Sequence, residues 1–198
     1  MRTWRIALSA VVVFAVSFMP LVVHAGAVAL PQTGVTKCLD AAGLEIPCVG
    51  TGQDGEIRAG AAWPVPRFTD NSDGTFLDNL TGLSWMVDAG TPTAGLCAGG
   101  VKNWQGALDY IACLNNTGYL GRTDWRLPNV NELESLLNIA SADSRPWLGS
   151  QGFVNVGASY WSSTTAASGS LNAWYLAASS GSPSYTGKTV TILVWPVR

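Results

Sequence analysis

The side chains best suited to nucleophilic or metal chemistry are few: four cysteines, Cys38, Cys48, Cys97 and Cys113, and one histidine, His24. His24 falls inside a stretch that reads as a secretory signal peptide. Met1-Arg2-Thr3-Trp4-Arg5 is a basic start, residues 6–23 are an apolar run broken by Pro20, and Val23-His24-Ala25 is a small-x-small cleavage site. Residues 26–198 contain no histidine. That excludes Ser-His-Asp and Cys-His catalysis and histidine-ligated zinc or copper in the exported chain.

The cysteines all follow the leader, and an even count in an exported chain points to disulfides. Four cysteines allow three pairings, and spacing alone does not choose among them. The preferred expectation is local pairing, Cys38 with Cys48 and Cys97 with Cys113, because residues 39–47 read as a hairpin turning at Ala42-Gly43. A four-cysteine zinc site needs paired short spacings that are missing here. The acidic run Asp70-Asn71-Ser72-Asp73-Gly74 invites a calcium reading. With Gly74 at the sixth position of an EF-hand loop, the first and last ligand positions become Thr69 and Leu80, so the match fails. A hairpin turn is expected instead. No metal and no cofactor is expected, and calcium has no motif to support it.

The remaining candidates for recognition are aromatic. The last forty-five residues are rich in Ser, Thr, Gly, Ala and Asn with Trp and Tyr interleaved. Rigid aromatic area beside adaptable small polar groups is the chemistry of antibody paratopes. Trp161, Asn172, Trp174, Tyr175 and Tyr185 are the candidate ligand-binding residues. Trp161 and Trp174 also fit core positions on alternating strands, whereas Tyr175 and Tyr185 read as exposed.

Elements to position these residues are legible. Residues 67–78 read as strand, turn, strand, and 83–86 as a further short strand. A helix is expected over 103–115, with Asn103 as N-cap and Trp104, Ala107, Leu108 and Ile111 on one face. A second is expected over 130–139, with Asn129 and Glu132 forming a capping box. Residues 159–164, 172–176 and 189–195 read as three strands of an antiparallel meander. Strands and helices are segregated, so the class is α+β. The expected division is a leader at 1–25, a small hairpin extension at 26–62 and a main domain at 63–198.

Composition narrows the partners. The chain of 198 residues is 47% hydrophobic and 12% charged, about half the usual charged fraction of roughly 25%. Without the leader it carries nine basic and thirteen acidic side chains, a net charge of −4. Nothing here would neutralise a nucleic-acid backbone. A sulfated polysaccharide is disfavoured too, unless a cation or a local patch of Arg122, Arg126 and Arg145 intervenes. Arg126 is expected to pair with Asp124 or Glu132. No second long apolar run follows the leader, so no membrane span is expected after cleavage.

One resemblance covers most of the chain. Arg122-Thr123-Asp124-Trp125-Arg126-Leu127-Pro128-Asn129-Val130-Asn131-Glu132-Leu133 resembles the C-terminal domain of the Lcl (Legionella collagen-like) type, found in many exported bacterial proteins. Phe68-Thr69-Asp70-Asn71, Asp78-Asn79-Leu80-Thr81-Gly82-Leu83, Trp104-Gln105-Gly106-Ala107-Leu108, Tyr160-Trp161-Ser162-Ser163 and Val194-Trp195-Pro196-Val197-Arg198 extend it. The resemblance implies a C-type-lectin-like fold and an association with surface adhesion and carbohydrate binding. There is no collagen-like Gly-x-y region, so a trimerising stalk does not carry over. Arg126-Leu127-Pro128 before an acidic helix is also similar to formylglycine-generating enzymes. The expected function is a secreted, periplasmic or cell-surface binding module for a glycan or surface protein, not an enzyme. The alternatives are a hypervariable protein-ligand-binding domain, through the segment 157–188, and a formylglycine-type oxidase.

Overall fold

The computed structural model describes residues 30–198; the expected signal peptide lies outside them. The chain begins with a small hairpin, β1 (Cys38–Leu39) and β2 (Glu45–Ile46). It turns at Ala42-Gly43 as expected, with Gly43 at φ +80°, where an L side chain would be strained. A one-turn helix, α1 (Asp54–Ile57), follows. Only Cys38 is buried between residues 30 and 62, so this extension has no core of its own. The Pro31–Ala61 bridge closes it on itself, and Trp63 ties it on: its Nε1 donates to the Gln32 carbonyl at 2.8 Å while its ring meets Trp147 at a centroid distance of 5.2 Å.

The first sheet is a meander of β3 (Phe68–Asp70), β4 (Thr75–Asp78) and β5 (Ser84–Met86). Its acidic loop is a turn. Asp70 accepts from the Ser72 N–H, and Asp73 accepts from both the Thr75 N–H and hydroxyl. Behind it, Arg67 makes a two-pronged pair with the buried carboxylate of Asp78, at 2.7 and 2.9 Å. Arg67 also donates to the Ser135 carbonyl at 2.8 Å.

Helix α2 (Trp104–Thr117) starts where the sequence places it, with the Asn103 side chain accepting from the Gly106 N–H. It ends two residues later than expected, at Gly118 in the left-handed region. Ala107, Tyr110, Ile111 and Leu114 are buried; Trp104 and Leu108 are half-buried at the edge of that face.

Helix α3 is shorter than expected. It spans Val130–Glu134, with the Asn129–Glu132 capping box formed. The apolar spacing continues, and Leu133, Leu136 and Leu137 are all buried. Past Glu134 the chain proceeds by tighter i+3 turns, Leu136 to Leu133 and Leu137 to Glu134. The Glu132 carbonyl, which the next α-helical bond from Leu136 would use, is taken by the Ser135 hydroxyl at 2.7 Å, and Arg67 donates to the Ser135 carbonyl beyond it. A further helix, α4 (Ser144–Ser150), lies in a stretch for which no element was expected; Asp143 caps it.

The second sheet is the C-terminal meander of β6 (Ser159–Thr165), β7 (Asn172–Ala177) and β8 (Ser182–Gly187). Its third strand is not residues 189–195. That segment leaves β8 and bridges Ile192 to Lys102, at the entrance to α2, then Leu193 to Tyr160 on β6. Val197 then bridges to Trp85 and Arg126. It is apolar because it crosses the core and joins both sheets. Val194, Trp195 and Val197 are essentially fully buried, and Trp195 meets Trp85, Phe153 and Tyr160 at centroid distances of 5.6, 5.0 and 5.0 Å. The class is α+β, with an N-terminal hairpin and a C-terminal β-meander.

Candidate binding surface

The five aromatic and amide candidates all lie on the second sheet, but they do not form one surface. Trp161 is fully buried, and its Nε1 donates to the Lys102 carbonyl at 2.8 Å. It anchors β6 to the entrance of α2, so its assignment to a ligand surface is corrected: a side chain closed off from solvent offers no face to a ligand.

Strand alternation separates the others. Asn172, Trp174 and Leu176 point to one side of β7, Ala173 and Tyr175 to the other. In the β7–β8 register Trp174 stands opposite Tyr185, their rings 5.4 Å apart at 70°. Tyr185 is 49% exposed, and Trp174 is half-buried. Asn172, at the start of β7, is opposite Gly187 and also half-buried. These three make an uneven ledge of amide and aromatic groups. Helix α3 packs against the same three strands.

Tyr175 stands opposite Trp161, with centroids 6.3 Å apart and rings nearly perpendicular. It is half-buried rather than exposed. It lines an open cleft of about 350 Å³ shared with Ser159 of β6, Thr186 of β8 and the crossing segment 190–193. Sequence reasoning missed this cleft. Its walls come from separate segments that no periodicity connects.

Charges around both faces are already engaged. Lys188 lies 4.1 Å from the Trp104 ring centroid and donates to the Thr165 hydroxyl at 3.0 Å. The three arginines weighed as a patch are each in an ion pair: Arg122 with Asp73, Arg126 with Glu132, Arg145 with Asp143. Arg126 therefore takes Glu132 of its two expected partners, in a two-pronged contact at 2.6 and 2.8 Å; Asp124 pairs with Arg198. Burial pushes the Glu132 carboxyl up, but the Arg126 contacts and the Asn129 N–H outweigh it and hold the pKa below the usual 4.5. Glu132 thus serves both the helix cap and the arginine.

The cysteines pair locally, Cys38 with Cys48 and Cys97 with Cys113. The second bridge ties the loop before α2 to the helix itself. No cysteine is free among the described residues. Among those residues, no group of three His, Cys, Asp or Glu side chains is placed to hold a metal ion, and no helix is long and apolar enough to cross a membrane.

A search of the curated proteins finds no match. A family model described as the Lcl C-terminal domain matches residues 74–198. The match begins at the turn between β3 and β4 and runs to the end of the crossing segment, taking in both helices expected from the sequence and the whole second sheet. On that match, over more than half of its length, the chain belongs to the Lcl C-terminal domain family.

Proposed function

We propose that this chain is an exported, non-catalytic binding module that recognises a carbohydrate or a surface protein in adhesion. The observation that carries the reading is the Trp174–Tyr185 pair. Two large aromatic side chains are held against each other across β7 and β8, beside the amide of Asn172 and the small residues Ser184, Thr186 and Gly187, and Tyr185 is left half exposed. Aromatic faces offer flat apolar contact at low conformational-entropy cost, and neighbouring amide and hydroxyl groups supply hydrogen bonds. The family membership, with its implied C-type-lectin-like fold, supports the same reading. Two disulfides suit a secreted, periplasmic or surface location.

Neutral glycans are preferred over sulfated ones, because the net charge is negative and the three arginines weighed as a patch are already paired. An oxidase of the formylglycine type needs a reduced cysteine pair, and all four cysteines are bridged. The hypervariable reading is narrowed: within 157–188, Tyr160, Trp161, Ala173 and Leu176 are core residues, so diversification would be confined to the exposed positions.

The test is binding of the purified protein to an array of neutral and sulfated glycans, with calcium and with chelator, beside a panel of surface proteins. Binding to a neutral glycan or to a surface protein supports the proposal. A folded protein silent on both panels contradicts it.

A further inference from the structure

Leaving β8 at Gly187, the chain crosses from one edge of the second sheet to the other before Leu193 bridges to Tyr160 on β6. Between this crossing segment and the sheet lies the cleft of about 350 Å³, lined by Val101, Ser159, Tyr175, Thr186 and residues 190–193. We infer that it is a second binding site, for a single uncharged sugar ring. This goes beyond the Trp174–Tyr185 surface and stands on different residues, on the opposite side of β7.

Three features select that ligand. First, four hydroxyl groups line the cleft, from Ser159, Tyr175, Thr186 and Thr191. None of them makes a hydrogen bond within the described residues, unlike Ser162 and Thr164 on the same sheet, whose hydroxyls bind backbone groups. Hydroxyls both donate and accept, which matches the hydroxyls of a sugar. Second, the lining holds no charged side chain, and nearby Lys188 and Lys102 are occupied by Trp104 with Thr165 and by the Gly99 carbonyl. An anion or cation would find no charge of opposite sign in the lining to select it. Third, the lining includes the Tyr175 ring, braced by Trp161, and the apolar residues Val101, Val190 and Leu193, which suit the C–H surfaces that a pyranose presents. The volume lies at the low end of the range of about 300–1,000 Å³ for ligand pockets, which suits one ring rather than a chain.

The experiment is an amide-shift titration of the purified, disulfide-bonded protein with methyl glycosides of glucose, galactose and mannose, and with glycerol as a polyol control. The expected result is saturable shifts at Ser159, Tyr175, Thr186 and Thr191, with one sugar configuration preferred. The affinity read from the amides of these four cleft residues should fall about tenfold or more in Tyr175→Ala and in the nearly isosteric Thr186→Val, and that same cleft affinity should stay unchanged in Tyr185→Ala, whatever that variant does to binding at the other surface. The last variant separates this site from the Trp174–Tyr185 surface, so either can fail alone. The inference is overturned by no saturable shifts, by equal weak shifts with every glycoside and glycerol, or by shifts that survive Thr186→Val in a folded protein.

Discussion

Trp174 stands directly opposite Tyr185 across the β7–β8 register, their rings 5.4 Å apart and tilted at 70°. Each ring therefore limits the rotamers of the other, and the pair is shaped before any ligand arrives. Edge-to-face pairs contribute about 0.5–1.5 kcal/mol beyond their buried area. A double-mutant cycle on urea stability, using Trp174→Ala, Tyr185→Ala and both together, should return a coupling in that range. Strictly additive effects would mean the rings do not touch in solution.

Trp161 behaves differently from the residues it was grouped with. It is fully buried and donates to the Lys102 carbonyl. Trp161→Ala should cost about 3–5 kcal/mol of stability, against about 1 kcal/mol for Tyr185→Ala. Comparing urea midpoints of the two variants checks this, and similar costs would contradict the assignment of Trp161 to the core.

The Arg67–Asp78 pair is the most buried ion pair described, with side-chain exposures of 3% and 0%. Arg67 links the first sheet to the end of α3 through the Ser135 carbonyl, and its guanidinium carbon lies 5.0 Å from both the Trp63 and Phe68 rings. Removing one partner strands a charge. Asp78→Ala should therefore destabilise by about 3–5 kcal/mol. Calorimetry would read this as a drop in the thermal midpoint; an unchanged midpoint would show that water solvates Arg67.

Glu132 supplies a pH-dependent contribution. Its folded pKa is held below 4.5 by Arg126 and the Asn129 N–H, against the opposing pull of burial. A lowered folded pKa means the folded state favours the carboxylate. The resulting stability is present above 4.5 and is lost as pH falls through the folded value. Wild type should exceed Glu132→Gln in stability at neutral pH, and the gap should narrow as the pH is taken below 4.5. A gap independent of pH would assign the Glu132 contribution to packing alone.

Much of this architecture is legible in the sequence where local signals and tertiary packing agree. Asn103 and Gly118 bound α2, and Gly43 and Gly74 mark turns that need a positive φ. Reading fails where a long-range partner decides. Apolar spacing alone extends α3 to residue 139, but the Ser135 hydroxyl takes the Glu132 carbonyl that the next α-helical bond needs, and Arg67, sixty-eight residues from Ser135 in the chain, holds the Ser135 carbonyl that residue 139 would need. The apolar run at 189–195 looks like a sheet strand because it is buried, yet it is a crossing segment held by single bridges. Strand β8, with Pro183 and Gly187 among small polar residues, looks like a turn and is the edge strand that faces Trp174. The candidate surface was therefore legible as residue types but not as faces. Trp161, Trp174 and Tyr175 separate into core, ledge and cleft only once the register is known.

The most direct measurement of the central claim is equilibrium binding of a glycan or surface protein retained on the array. It should compare wild type with Trp174→Ala, Tyr185→Ala and, as a control, Leu171→Ala, which alters an exposed side chain outside the aromatic pair. The account predicts that both aromatic variants weaken binding by about tenfold or more while the control binds like wild type. Full affinity retained by folded Trp174→Ala and Tyr185→Ala would contradict a ligand surface on this pair.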